Sequence, residues 1–208
     1  MNNKIKKPFP VKTVQPVLDQ NYWNTKWQNN QIGWDIGYAS PAITAYMAQY
    51  PNKNAAILIA GCGNAYEAVY LLENNFTDIT LIDFAEEAVK GLTEKFAGHP
   101  AVKILCIDFF EHETQYDLLL EQTFFCAIAP ERRADYVQKV LSLLKPQGRI
   151  VGLLFDKVFE APGPPFGGDV VTYEKLFRPF FSIHKMEKCY NSISPRAAKE
   201  VFINFSKP

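Results

Sequence analysis

The sequence predicts an α/β fold in which helices cover a mostly parallel β-sheet. Two observations predict it. Short apolar runs, as in strands buried on both faces, alternate with stretches in which apolar residues recur every three or four positions. From about 180 to 206, apolar and polar residues alternate instead, which indicates a C-terminal antiparallel hairpin. Strands that alternate with helices form right-handed βαβ units, so we expect the central strands to be parallel.

The elements follow in chain order. Trp23 and Trp27 are four positions apart, as residues on one helix face are. Ser40 and Pro41 are typical of an N-cap and a first helical residue, and they predict a second helix that ends before Pro51. The pattern then predicts these elements: strand 56–60, helix 64–75, strand 79–83, helix 85–97, strand 102–107, strand 117–122, helix 131–144 and strand 149–155.

Composition and charge argue against several function classes. The chain has 208 residues, which suits one domain at 19–208 after a loose basic leader at 1–18. Lys plus Arg and Asp plus Glu number 22 each, so no global charge recruits nucleic acid or an acidic membrane. No apolar run approaches the roughly 20 residues that a membrane span needs. We therefore expect a small-molecule partner, and the oligomeric state stays open.

Cysteines and histidines complete this picture. The four cysteines are scattered along the chain, which favours buried, reduced thiols in a cytoplasmic protein. The three histidines stand far apart, and we expect surface or loop positions for them. Neither set shows metal-ligand spacing, so no metal site is predicted. The residues concerned are Cys62, Cys106, Cys126 and Cys189, and His99, His112 and His184.

A glycine turn provides the first functional signal. Gly61 and Gly63 lie between an apolar run and a helix pattern, and the next apolar run ends in Asp83. This order brings backbone N–H groups, a positive helix end and a carboxylate to one point, where the ribose of an adenosine-containing ligand fits. A dinucleotide fingerprint needs glycine where Tyr66 stands, and Glu67 would repel a pyrophosphate but could accept hydrogen bonds from a cationic amino-acid group. S-adenosylmethionine is therefore favoured, and the alternative is a plain tight turn with Asp83 as a helix cap.

The carboxyl ends of the parallel strands define one crevice. Asp83, Asp108 and the segment 121–125 follow such ends, and the loop 156–169, with three prolines and three glycines, joins the same edge. A carboxylate at Asp83 can accept two hydroxyl hydrogen bonds. Asp108, followed by Phe109 and Phe110, offers an acceptor for an exocyclic amine and an aromatic face for stacking. The alternatives are a strand-end turn for Asp108 and core packing for the tryptophans.

Six further motifs run through the chain from Tyr22 onward. They are W-x-x-x-W at 23–27, G-W-D-x-G at 33–37, F-F-C-A-I-x-P-E at 124–131, L-K-P-x-G at 144–148, G-P-P-F at 163–166 and S-I-x-P-R-x-x-K-E at 192–200. Together with the glycine turn they resemble the class I S-adenosylmethionine-dependent methyltransferases. Within that class the resemblance is to the thiopurine methyltransferase superfamily, especially its halide and thiol methyltransferase branch.

The resemblance implies a Rossmann-like class I methyltransferase fold, with a seven-stranded sheet and an N-terminal helical cap (19–50) over the cofactor. It places Gly61 against the methionine part, Asp83 on the ribose hydroxyls, and Asp108 with Phe109 on the adenine. The implied cofactor-binding residues are Trp23, Trp27, Trp34, Gly61, Cys62, Gly63, Asp83, Phe84, Asp108, Phe109 and Gln122. The chain departs from the family pattern at Glu121, where Asp is usual, and at Ala65, where glycine is more usual.

The resemblance further implies methyl transfer to a thiol, hydrosulfide, thiocyanate or halide. Such nucleophiles arrive as anions or nearly so, because a thiol has a pKa of about 8.5, and we therefore expect no general base and no catalytic residue. Arg133 or Arg196 could supply positive potential, with a surface ion pair as the alternative for each. The alternatives for the protein are a thiopurine or other small-molecule methyltransferase, a non-catalytic S-adenosylmethionine-binding domain and a nicotinamide dehydrogenase. We expect the nucleophile's pocket to be walled by Trp34, Phe124, Phe125, Pro164 and Phe166.

Overall fold

The computed structural model describes residues 16–161 and 163–208, and most of the predicted leader lies outside them. A seven-stranded sheet forms the centre, in the order β3-β2-β1-β4-β5-β7-β6. The strands are β1 Ile57–Ala60, β2 Ile79–Asp83, β3 Val102–Cys106, β4 Tyr116–Gln122, β5 Leu144–Phe155, β6 Ser182–Lys188 and β7 Glu200–Ser206. β1 to β5 are parallel, and β7 runs antiparallel to both β5 and β6. The predicted fold class, with its C-terminal antiparallel hairpin, is confirmed.

Six helices surround this sheet in the described part of the chain. They are α1 Gln20–Gln28, α2 Pro41–Ala48, α3 Tyr66–Glu73, α4 Glu86–Lys95, α5 Arg133–Leu143 and α6 Val170–Phe177. The α6 helix is not among the predicted elements; Asp169 begins it by accepting a hydrogen bond from Thr172 N at 2.9 Å. No helix described is long and apolar enough to cross a membrane.

The central strands bring their carboxyl ends to one edge of the sheet. All four residues of β1 are buried, and Ile59 pairs with Leu81 of β2 and with Leu120 of β4. A strand that is buried on both faces reads as a continuous apolar run, which explains why β1 and β2 were predictable almost to the residue. The pairing places the glycine turn after β1 beside Asp83 and beside the segment that follows β4.

The β5 strand begins five residues earlier than the sequence predicts. Pro146 and Gly148 are typical of a turn, but the segment stays in the sheet, with Leu144 paired to Tyr116 before the register shifts. Gln147 has a φ of 64°, so the L-K-P-x-G motif forms an irregularity inside the strand rather than a loop before it. Lys145 Nζ also contacts Asp117 Oδ2 at 2.9 Å across this irregularity.

The core lies on both faces of the sheet. His112 occupies a loop, as expected, but it is buried there, with its Nε2 at 2.7 Å from Tyr116 Oη, and burial lowers the pKa of this imidazole. Cys106 is exposed on the edge strand β3, whereas Cys126 and Cys189 are buried as expected. Ser40 occupies the N-cap of α2 without a side-chain capping bond; its N–H donates to buried Glu67 Oε1 at 2.9 Å.

Candidate active site

A cavity of about 1370 Å³ opens where β1, β2 and β4 end. Small-molecule pockets usually measure roughly 300–1,000 Å³, so this one has room for a nucleoside and a second small molecule. Residues from the cap, the strand ends and the loop after β5 line it together. Among them are Trp23, Trp27, Trp34, Gly61, Gly63, Asp83, Phe84, Asp108, Phe109, Phe124, Pro164, Phe166 and Arg196.

The glycine turn (61–65) presents bare backbone to this cavity. Gly61 and Gly63 have φ values of 55° and 51°, in the left-handed region that favours glycine. A Cβ on Gly61 would lie 2.8 Å from Phe124 Cγ, so the phenylalanine ring rests directly on the turn. A Cβ on Gly63 would lie 3.6 Å from Trp27 and 3.8 Å from the Trp34 indole nitrogen. Aromatic rings therefore cover the turn from the cap and from the segment after β4.

Asp83 faces the cavity from the end of β2. Its Oδ2 accepts the Gly63 N–H at 3.2 Å and its Oδ1 accepts the Ala85 N–H at 2.9 Å. Burial raises the pKa of this carboxyl, and the backbone donors oppose that rise. A carboxylate has about four lone-pair sites, so each oxygen can accept one further hydrogen bond from a ligand. Asp83 therefore accepts a backbone hydrogen bond just before α4 and lines the cavity with the same side chain.

Asp108 and the residues after it form a second wall. Asp108 Oδ1 accepts the Phe110 N–H at 2.9 Å and begins a short 3₁₀ turn over 109–111. Phe109 is buried and stacks on Tyr136, with centroids 5.4 Å apart, so Tyr136 covers one of its faces. Phe110, the second phenylalanine after Asp108, also lines the cavity, and the Arg132 guanidinium lies 3.8 Å from its ring centroid.

The tryptophans of the cap segment line the cavity rather than the core. Trp34 meets Trp23 and Trp27 edge to face, at centroid distances of 5.5 Å and 6.0 Å. The α1 helix has no buried residue, and polar contacts hold it on α4, including Gln28 Nε2 to Glu87 Oε1 at 3.0 Å. Core packing, the alternative for these tryptophans, therefore does not describe them.

Asp35 of the G-W-D-x-G motif anchors the loop that carries Trp34. Its Oδ2 accepts hydrogen bonds from Asn64 Nδ2 and, at 3.3 Å, from the Tyr66 hydroxyl. On the other side, Arg196 Nη2 donates to the Trp34 carbonyl at 2.8 Å. Asp35 is not among the predicted site residues, because its partners lie about 30 positions away and no spacing rule connects them.

The family follows from the similarity of this chain to known proteins. The family model described as thiopurine S-methyltransferase (TPMT) matches residues 18–206. The chain belongs to the thiopurine S-methyltransferase family.

Individual relatives agree with this membership. A probable thiol methyltransferase 2 from Arabidopsis thaliana is 32% identical over 162 residues, covering 76% of this chain and 71% of the relative. Thiocyanate methyltransferase 1 from the same organism is 27% identical over 205 residues, covering 95% and 90%. This member of the family is therefore an S-adenosylmethionine-dependent methyltransferase.

The fold matches solved methyltransferase structures. A 1,6-didemethyltoxoflavin-N1-methyltransferase from Burkholderia thailandensis, with bound 1,6-didemethyltoxoflavin and S-adenosylhomocysteine, superposes with a TM-score of 0.74. It is 17% identical, and the match covers 95% of this chain and 93% of that one. At this identity the likeness shows the shared fold alone.

The residues around the cavity fit S-adenosylmethionine. The glycine turn offers backbone without Cβ atoms at Gly61 and Gly63. Asp83 can accept further hydrogen bonds on the cavity side, and three indole rings line the same cavity. Hydroxyl groups of a ribose and a positively charged sulfur match this combination of carboxylate and aromatic faces.

Three predicted site residues lie off the cavity wall. Phe125 packs in the core against Tyr136 and Phe177, on the opposite side of the chain from Phe124. Cys62 belongs to the glycine turn, but it packs against the core and not on the cavity wall, and burial raises the pKa of its thiol. The Gln122 Oε1 atom is buried and has no hydrogen-bond partner in the described structure.

Neither candidate arginine forms a surface ion pair. Arg133 is buried, and its Nη2 donates to the carbonyls of Phe166 and Gly167 at 3.2 Å and 2.9 Å, which ties down the proline loop (163–168). Arg196 lines the cavity, and its Nη1 lies 3.6 Å from Glu200 Oε1. Little of either side chain is exposed to solvent. Arg196 is thus the arginine of the pair that reaches the cavity.

Proposed function

We propose that this methyltransferase transfers its methyl group to a small soft nucleophile: a thiol, hydrosulfide, thiocyanate or halide ion. The observation that carries the proposal is the wall of the cavity around Trp34. It combines apolar surface from Trp34, Phe124 and Phe166 with the guanidinium of Arg196. No histidine occurs among the described residues that line the cavity, so none of these residues offers an imidazole as a general base.

The proposed cofactor site uses the strand ends. Asp83 accepts the ribose hydroxyls, and Asp108 accepts the exocyclic amine of adenine beside the rings of Phe109 and Phe110. The methionine part lies along Gly61 and Gly63. When bound, S-adenosylmethionine supplies an electrophilic methyl group on a positively charged sulfur. The indole rings of the cap favour that charge by roughly 0.5–2 kcal/mol, depending on desolvation.

The protein's own contribution is alignment and exclusion of water. An anionic nucleophile and a sulfonium neutralise each other during an in-line displacement, so the protein need not stabilise a new charge. Holding two reactants in line can lower the barrier by about 7–11 kcal/mol. A thiol with a pKa of about 8.5 is partly ionised near neutral pH, and a positive potential from Arg196 would increase that fraction.

The relatives support a sulfur acceptor. Their names specify thiol and thiocyanate methylation, and they match three quarters or more of this chain. Halide as an acceptor, and a cytoplasmic location suggested by free cysteines, extend the proposal beyond those names. A thiopurine is the second candidate, because the family model carries that name and the cavity of about 1370 Å³ has room for a bicyclic ring.

An acceptor panel tests the proposal. The purified protein is incubated with methyl-labelled S-adenosylmethionine and iodide, thiocyanate, hydrosulfide, thiophenol or a thiopurine. Phenol and aniline serve as matched controls for thiophenol, because they change only the nucleophilic atom. We expect label on sulfur or iodide and none on oxygen or nitrogen. Transfer to phenol or aniline alone would contradict a soft acceptor. Calorimetric binding of S-adenosylhomocysteine without transfer to any acceptor would identify a binding domain instead.

A further inference from the structure

A buried carboxylate lies directly behind the cavity wall. Glu121, the second-to-last residue of β4, is 1% exposed. Its Oε1 accepts the N–H groups of Phe124 and Phe125, each at 2.9 Å, and its Oε2 accepts the Tyr136 hydroxyl at 2.6 Å. All three partners point donors at the carboxylate, which is the arrangement that an ionised acid requires.

These hydrogen bonds hold a strained turn. Thr123 has a φ of 59°, a left-handed conformation that a β-branched residue rarely adopts. Such a conformation persists only where surrounding contacts enforce it. Because the chain reverses here, Phe124 turns toward the glycine turn and Phe125 turns into the core. The two amides that Glu121 binds are those of the two residues that must point in opposite directions.

The same turn connects to the opposite side of the cavity. The Cys126 carbonyl accepts the Phe166 N–H at 2.7 Å, which joins the segment after β4 to the proline loop. Phe124 and Phe166 both line the cavity. A shift of the 123–126 segment would therefore move both rings together.

We propose that the ionised carboxylate of Glu121 is a positioning residue that holds Phe124 against the glycine turn and thereby forms the binding-competent cavity. Glu121 does not touch the cofactor and acts through the backbone of the segment that it binds. The inference depends on cofactor binding and not on which nucleophile is methylated.

The charge on Glu121 changes within the neutral pH range. Burial raises its pKa to about 7, against the hydrogen bonds from Tyr136, Phe125 and Phe124 that lower it. Tyr136 of α5 and Cys126 of the loop are the titratable groups that face it, and burial raises the pKa of both, so they stay neutral. From β5, Gly152 packs against its backbone. Protonation of Glu121 leaves Oε1 as an uncharged acceptor and requires the Tyr136 hydroxyl to rotate so that it accepts a hydrogen bond instead of donating one. The hydrogen bonds from the Phe124 and Phe125 amides to Glu121 then become weaker.

Binding of S-adenosylhomocysteine at two pH values tests the proposal. By calorimetry we expect the wild-type protein to bind roughly tenfold more weakly at pH 6 than at pH 8, as when a charge-assisted hydrogen bond becomes a neutral one. Glu121→Gln imitates the protonated acid, so we expect it to show the weak pH 6 affinity at both pH values. Asp117→Asn is the matched control: Asp117 is another acid of β4 bonded to one backbone amide, that of Ala56, and it lies off the cavity wall. It should keep the wild-type pH dependence.

Two further measurements keep the test decisive if Glu121→Gln folds poorly. Tyr136→Phe removes one donor but keeps the ring, so the midpoint of the pH dependence should move to higher pH. In the ligand-free protein, the Phe124 and Phe125 amides should exchange hydrogen faster at pH 6, after correction for intrinsic rates. An unchanged midpoint in Tyr136→Phe, or a wild-type pH profile in Glu121→Gln, would overturn the proposal and point to another group such as Asp83.

Discussion

Asp83 serves the fold and the proposed ribose contact with the same two oxygens. Its bonds to the N–H groups of Gly63 and Ala85 fix the carboxylate at the mouth of the glycine turn. The same side chain lines the cavity, and a carboxylate with two accepted hydrogen bonds can accept further ones. Because the side chain is already held, a ligand hydroxyl would meet a pre-organised acceptor and little entropy would be lost on binding.

Asp83→Asn should weaken binding of S-adenosylhomocysteine by about 10- to 100-fold, since a hydrogen bond to a charged group contributes about 1.5–3 kcal/mol. Calorimetry measures this directly. Asp78→Asn is the control, because Asp78 is an exposed residue just before the opposite end of the same strand. We expect its dissociation constant to match that of the wild type. Equal affinities for the Asp83 variant and the wild type would remove Asp83 from the cofactor site.

Residue positions that follow a strand end were predictable, and positions inside irregular turns were not. Asp83 ends β2 and Asp108 stands two residues after β3, so both lie at the carboxyl edge of the parallel strands, where the cavity is. Phe124 and Phe125 look equivalent in the sequence, yet they face opposite sides because Thr123 adopts a positive φ. The hydrophobic periodicity of the sequence does not predict the φ of Thr123, because we infer that this angle depends on the buried hydrogen bonds of Glu121.

At the scale of elements, the α1 helix and the loop 29–39 contribute no buried residue and are held over the site by polar contacts. The α1 helix has no buried residue, and the loop after it is held by Asp35 at the glycine turn and by Arg196 at the Trp34 carbonyl. Regions with few buried apolar contacts open at low free energy. Such a segment can admit a ligand without unfolding the sheet.

Asp35→Ala should release the loop while leaving the sheet intact. We expect the dissociation constant of S-adenosylhomocysteine to rise several-fold and tryptophan emission to shift to longer wavelength as Trp34 gains solvent. Asp169→Ala is the control: it removes an N-cap bond on α6 and should lower the free energy of unfolding without either change. Identical emission spectra for Asp35→Ala and the wild type would show that Asp35 does not hold the cap.

Elements buried on both faces were the ones that the sequence predicted well. β1 and β2 are continuous apolar runs, and their observed ends lie within one residue of expectation. The start of β5 was missed because Pro146 and Gly148 have turn chemistry although they lie in an irregular strand. The α6 helix has eight residues and follows a loop rich in glycine and proline, so too few turns were present to establish a period.

At the scale of the whole molecule, the parallel strands and the C-terminal hairpin contribute different residues to the cavity. The parallel half, β1 to β4, supplies the glycine turn and both aspartates. The hairpin half contributes Arg196, which precedes β7 and reaches the cavity because β7 inserts between β5 and β6. The cavity therefore takes residues from both parts of the sheet.

Buried acids should make this protein less stable as pH rises, and Glu121 is the clearest case. Its pKa of about 7 in the folded state lies above the usual 4.5, so the native protein binds more protons than the unfolded chain between those values. Stability is then fully present below about pH 4.5 and is lost as pH rises through 7. The lowered pKa of buried His112 acts in the opposite direction, because stability is lost as pH falls below about 6.5.

Comparing the wild type with Glu121→Gln isolates the Glu121 contribution, since the two proteins share His112. Between pH 5 and pH 8, urea denaturation should show the wild type losing on the order of 2 kcal/mol more of its free energy of unfolding than the variant. Over the same range, affinity for S-adenosylhomocysteine should rise in the wild type. A residue with only a structural role would change stability and affinity in the same direction, so opposite slopes in one protein distinguish positioning from simple stabilisation. Parallel stability profiles for the two proteins would mean that Glu121 titrates near its unfolded value and that its charge is constant at neutral pH.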